Sequence, residues 1–275
     1  MELTKNITLG VYLPGQSLIH RLDPRTKIIS VTAIVILLLL IKSYYAYAAM
    51  LILLAFVIFI AVIPVGYAFR GLKPMLPVLV LMWVFQLFLY SGPSPKLLFT
   101  WWFFSATEAG FHMGNLITLR VFFLFTFTTL LTLTTSIVSL TDGLESLLNP
   151  LKRIGVPSQE LVMTMIIALR FVLILAEELD KIVKAQMARG VAFDRGSFIH
   201  KTKKMFPVFL PLFISAFKRA EELIVAMEAR SYTGGKNRTK MKTLHLGRVD
   251  LVAGLVMIVF STLVMVLIIS VKPQI

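Results

Sequence analysis

Ala185-Gln186-Met187-Ala188-Arg189-Gly190 and Ala226-Met227-Glu228-Ala229-Arg230-Ser231 share one pattern, Ala-x-x-Ala-Arg-small, 41 positions apart. Each closes a long helical run, and both runs lie between Pro157 and Gly235. Acidic residues precede each arginine on its helix: Glu177, Glu178 and Asp180 in the first, Glu221 and Glu222 in the second. One such end is ordinary helix termination, because arginine complements the negative end of the macrodipole and glycine suits the C′ position. Two matched ends on successive helices ask for more. Arginine presents five donors in a fixed fork, suited to bidentate capture of carboxylates or carbonyls on a partner. The small neighbours Ala188, Gly190, Ala229 and Ser231 leave room for that partner to come close, and a paired motif suits one with two equivalent sites, such as a dimer.

The rest of the chain reads mostly as membrane anchor. Of 275 residues, 57% are hydrophobic and 15% charged, with mean hydropathy +0.85, against about 45–50% and about 25% in soluble domains. The net charge of +14 gathers in segments flanking apolar runs, which positive-inside topology explains better than nucleic-acid binding. The absence of cysteine excludes disulfides and thiolate chemistry. His20, His112, His200 and His245 are scattered, so neither a metal centre nor a catalytic or cofactor-binding residue is expected. The polar first twenty-five or so residues argue against a cleavable signal peptide.

Asp23 before Pro24 suits an N-cap with proline at the first helical position, and Arg21, Arg25 and Lys27 hold this end in the cytoplasm. Apolar spans are expected at 28–41, 46–69 (with Pro64 placed to kink it), 74–90, 111–138 and 251–271. Ser91–Pro95 forms an external turn, and Trp101–Phe104 an aromatic anchor rather than a span. Arg120 falls inside the fourth span, either snorkelling, pairing with Glu108 or a backbone carbonyl, or serving transport. From Ser139 a capped amphipathic helix, apolar at 140, 144, 147, 148 and 151, should lie in the interface. Residues 160–189 form one helix of about 45 Å, bracketed by basic residues and so placed obliquely along the inner face. If this helix and its successor did cross, the count would rise from five spans to seven. Residues 191–205 read as a basic connector before the second arginine-tipped helix.

The expected fold is therefore all-α: a polytopic membrane protein of about five transmembrane helices plus long amphipathic cytoplasmic helices, N-terminus cytoplasmic. Residues 1–138 form an N-terminal membrane domain of about four spans, 139–248 a cytoplasmic helical module and 249–275 a C-terminal transmembrane helix.

The paired Ala-Arg-Gly/Ser ends, Tyr12-Leu13-Pro14-Gly15, His20-Arg21-Leu22-Asp23-Pro24-Arg25-Thr26-Lys27, Arg170-Phe171…Glu178 and Pro207…Pro211-Leu212…Glu222-Leu223 together resemble the transmembrane T component of energy-coupling factor transporters. The resemblance covers nearly the whole chain, and Tyr-Leu-Pro-Gly is more similar to the branch that serves several substrates. It implies a non-catalytic scaffold, without cofactor, in a bacterial or archaeal cytoplasmic membrane. Its implied partners are two ATP-binding-cassette ATPases and a small membrane S subunit that captures a vitamin or trace metal. It further implies that Arg189 and Arg230 each dock in one ATPase, with Ala188, Gly190, Ala229 and Ser231 completing the contacts.

The chain has no phosphate-cradling loop of its own: Gly234-Gly235-Lys236 is followed by Asn237, with Arg230 where the first glycine belongs. A conventional permease subunit with its own substrate path should carry more intramembrane polar residues. An intramembrane transferase needs clustered carboxylates for metal and diphosphate, whereas Asp142, Glu145, Asp180 and Asp194 do not gather on one helical face.

Overall fold

The computed structural model describes residues 13–64, 66–67, 71–90, 97–101, 104–150, 158–191, 193, 198–232 and 245–270. The expected turn at 91–95 and the Gly234-Gly235-Lys236 string lie outside them. Two compact units emerge. The first contains α1 (Leu18–Arg21), α2 (Pro24–Leu40), α3 (Tyr44–Ala61), α4 (Leu76–Leu89), strands β1 (Leu97–Trp101) and β2 (Phe104–Thr107), α5 (Glu108–Thr134), most of α6 (Ile137–Leu148), and α9 (Arg248–Ser270). The second contains α7 (Ser158–Ala188) and α8 (Phe198–Ala229).

The all-α class holds, apart from the β1–β2 hairpin. Its antiparallel register sets Trp101 opposite Phe104 and Leu97 opposite Thr107, so the two ends of the expected aromatic anchor lie in paired strands, Trp102 and Phe103 being outside the described residues. Aromatic and β-branched residues favour strand geometry, and this run is too short to span as a helix. Among the described residues three helices, α3, α5 and α9, are long and apolar enough to cross a bilayer, with 18, 27 and 23 residues. The first and third expected spans correspond to α2 and α4, of 17 and 14 residues. They reach about 25 and 21 Å, short of the roughly 30 Å hydrocarbon core.

Pro64 does not kink α3. The helix ends at Ala61, Val62 takes a left-handed conformation (φ 54°), and its N–H donates to Phe59 O. A proline disfavours helical backbone in the residue before it, so the chain leaves the helix ahead of Pro64. The fourth span likewise stops short, at Thr134, and Ser136 rather than Ser139 caps the next helix, its Oγ accepting the Ser139 N–H at 3.2 Å.

The buried residues of α6 are Thr141, Gly143 and Glu145, while Ile137, Val138 and Leu144 are exposed. A Cβ on Gly143 would lie 2.9 Å from Pro24 Cβ and 3.2 Å from Ile28 Cδ1, so the glycine lets α6 come close to the start of α2. Of the apolar positions expected to face the interface, Leu144 is exposed and Leu140, Leu147 and Leu148 are half-buried. Leu38 and Ile41, Met50, Phe123 and Val264 fill the core shared by α2, α3, α5 and α9. Gly110 marks a close approach of α5 to α4, since a Cβ there would meet Leu87 O at 2.7 Å.

Candidate docking site at two helix ends

Helices α7 and α8 pack together in the second unit. Helix α8 begins at Phe198, so Lys201, Lys203 and Lys204 of the expected connector are helical; lysine is a good helix former whatever its charge. Pro207 and Pro211 lie inside α8. Four residues apart, they remove their amide bonds on one face of the helix.

Both helices finish in the same way. The Gly190 N–H donates to Met187 O (2.9 Å) and the Val191 N–H to Gln186 O (3.1 Å). In α8 the Ser231 N–H donates to Glu228 O (2.8 Å) and the Tyr232 N–H to Met227 O (3.0 Å). These are paired Schellman closures, with Gly190 at φ +90° and Ser231 at φ +54° in the left-handed C′ position. The small residue of each motif therefore has a backbone reason, and each arginine occupies the cap position immediately before it. Ala188, Arg189, Gly190, Ala229, Arg230 and Ser231 are all exposed. Neither guanidinium has a bonding partner among the described residues, so each fork of donors is open to an external acceptor. The upstream acids are partly engaged: Asp180 pairs with Lys184 at 2.6 Å, and Glu178 with Arg219 of α8 at 3.3 Å.

A left-handed residue other than glycine costs about 1–2 kcal/mol. Ser231→Gly should accordingly slow amide exchange at Tyr232 about fivefold, and Gly190→Ala should speed it at Val191 by a similar factor, for roughly 1 kcal/mol each. Hydrogen exchange read by mass spectrometry checks both; equal rates in parent and variants would contradict the strained cap.

A second polar centre escapes a reading of the sequence. Lys27, expected as a cytoplasmic surface charge, is buried. Its Nζ donates to Thr134 O (3.0 Å) and Thr135 Oγ1 (3.1 Å), with a longer contact to His20 O (3.4 Å). Asp23 and Asp250, both buried, act on it electrostatically. Asp23 Oδ1 accepts the Arg25 N–H at 2.9 Å, the expected N-cap, while its own N–H donates to Asp250 Oδ1 at 2.7 Å. The Leu13 N–H meets Leu133 O at 3.0 Å, so this segment satisfies two terminal carbonyls of α5. Burial lowers the His20 imidazole below its ordinary pKa. The neutral ring donates Nε2–H to Leu13 O (3.0 Å) and accepts from Ser17 Oγ (2.6 Å). Arg120 plays the matching part at the end of α2, where its Nη2 donates to Ile41 O at 2.9 Å. That is the backbone-carbonyl alternative, and it leaves the cation on the negative end of a helix.

Residues 15–241 match the sequence model of the CbiQ family, described as cobalt transport protein. The energy-coupling factor transporter transmembrane protein EcfT of Thermosediminibacter oceani is 46% identical over 249 residues, 90% of this chain and 93% of that protein. The chain belongs to the EcfT/CbiQ family of energy-coupling factor transmembrane components. EcfT of Ruminiclostridium cellulolyticum is 43% identical over 265 residues, covering 96% of this chain and 98% of its own. EcfT of Bacillus subtilis is 44% identical over 239 residues, covering 87% and 89%. Like other EcfT/CbiQ members, the chain is a membrane-embedded subunit of a transporter that works with further subunits.

Proposed function

We propose that this chain is the scaffold and coupling subunit of an energy-coupling factor importer. Arg189 and Arg230 each seat in one of two ATP-binding-cassette ATPases, with Ala188, Gly190, Ala229 and Ser231 lining the approach. A small membrane S subunit, which chooses the vitamin or trace metal, rests on α7 and α8. The observation that carries this reading is the pair of identically closed helix ends, 41 residues apart, each offering an exposed guanidinium without a partner among the described residues. Leu161, Val172 and Leu173 on α7, and Phe206, Phe209 and Phe213 on α8, are large, apolar and exposed. Such surface supports a docking role for the upper parts of both helices.

On this reading, residues 139–248 form a cytoplasmic module between an N-terminal membrane domain and a final span, in a multi-pass protein of the cytoplasmic membrane with its N-terminus inside. ATP binding closes the ATPase dimer, shifts the two helix ends relative to each other, and the helices pass that motion to the S subunit. Affinity purification from native membranes should recover two ATPase subunits and one small membrane protein with the chain. An eluate holding the chain alone would defeat the proposal.

A further inference from the structure

Glu178 and Arg219 each lie eleven residues upstream of a tip arginine, Arg189 and Arg230 respectively, and so are 41 positions apart like the tips themselves. They are equivalent positions of the two arms, and they touch: Arg219 Nη2 lies 3.3 Å from Glu178 Oε2. A contact between equivalent positions is what a local two-fold places on its axis. Strict sequence repetition would set like charges together there. This chain instead carries a carboxylate on one arm and a guanidinium on the other, so the self-contact is attractive.

From the contact each arm runs eleven residues to its tip, about 16 Å of helix. Slipping one helix by a single turn would move the Arg219 guanidinium off Glu178 and toward Ile174 or Ile182, the residues one turn away. Neither can accept a hydrogen bond. Arg219 Nε is already buried without a partner among the described residues, so losing Glu178 would leave the group still less satisfied.

We propose that Glu178–Arg219 is the register lock of the two arms. It keeps contact-to-tip distances equal, so displacement of one arginine end is transmitted to the other arm rather than dissipated as sliding. These are positioning residues, and the proposal rests on the docking reading of the tips.

The test uses the whole complex in proteoliposomes, reading ATPase retention, ATP hydrolysis and substrate uptake per ATP. Glu178→Arg and Arg219→Glu should each retain both ATPases and hydrolyse ATP, while uptake per ATP falls about tenfold. Exchanging the charges (E178R with R219E) should restore most of it, which a merely structural role for either side chain would not produce. If the reversals do not accumulate, the milder Glu178→Gln should still lower uptake per ATP by about threefold. Unchanged uptake per ATP in the single variants overturns the lock, as does an exchange variant that assembles without recovering. Loss of the ATPases in the single variants also overturns it, since the pair would then serve assembly. A wild-type complex lacking ATPases would instead sink the docking reading, and the lock with it.

Discussion

Reversing both tip charges, Arg189→Glu with Arg230→Glu, is expected to leave the chain folded in the membrane, release both ATPases on purification and reduce ATP-driven uptake to background. Each arginine is exposed at a helix end and bonded to nothing among the described residues. Folding therefore loses little more than a favourable macrodipole term, about 0.3–1 kcal/mol per site. Binding loses far more: truncating one side of a desolvated, hydrogen-bonded charge pair costs about 2–5 kcal/mol, and reversal adds repulsion. Two such losses compound, because a partner with two equivalent sites is held by both at once. Single Arg→Ala variants should fall between, each weakening ATPase retention by about thirtyfold or more. If the double variant copurifies with its ATPases and transports normally, the arginines are helix caps and nothing else.

The largest effect on stability is expected at Lys27. Replacing it with methionine preserves bulk but leaves Thr134 O and Thr135 Oγ1 without their donor and strips the cation from buried Asp23 and Asp250. Removing one partner from a buried charge group costs about 3–5 kcal/mol, a large share of the 5–15 kcal/mol typical of a whole fold. In a fixed detergent the melting temperature should drop by about 10 °C. The K27M/D250N double variant should fall by less than the sum of its singles, because the orphaned carboxylate is partly neutralised. A melting temperature within about a degree of the parent would show that the buried lysine is dispensable.

The sequence discloses some of this architecture and conceals the rest for identifiable reasons. The arginine ends are legible because macrodipole complementarity and the left-handed C′ residue each demand a particular residue type within two positions. Asp23 is legible as a cap because its partner, the Arg25 N–H, is two residues away. Lys27 is not: a cation beside an apolar run reads as positive-inside whether it faces headgroups or turns inward, and the carboxylate of Asp250 comes from the opposite end of the chain. The start of α8 is hidden because Lys201–Lys204 read as solvated linker, though lysine tolerates helix well. Residues 97–107 conceal a strand pair because aromatic residues serve interfacial anchors and strands alike. Arg120 keeps several readings until Ile41 O is seen beside it.

The bond from the Asp23 amide to Asp250 spans 227 positions of chain, and that separation bears on biogenesis. At about 5–20 residues per second, translation needs roughly 10–45 s to carry the ribosome from one residue to the other. Throughout that interval Lys27 has its neighbours Asp23 and His20 O and, later, the end of α5, but not the carboxylate of Asp250. The N-terminal segment is sealed only once Asp250 has been made. A nascent chain that stops before Asp250 lacks the carboxylate that holds the Asp23 amide and faces Lys27.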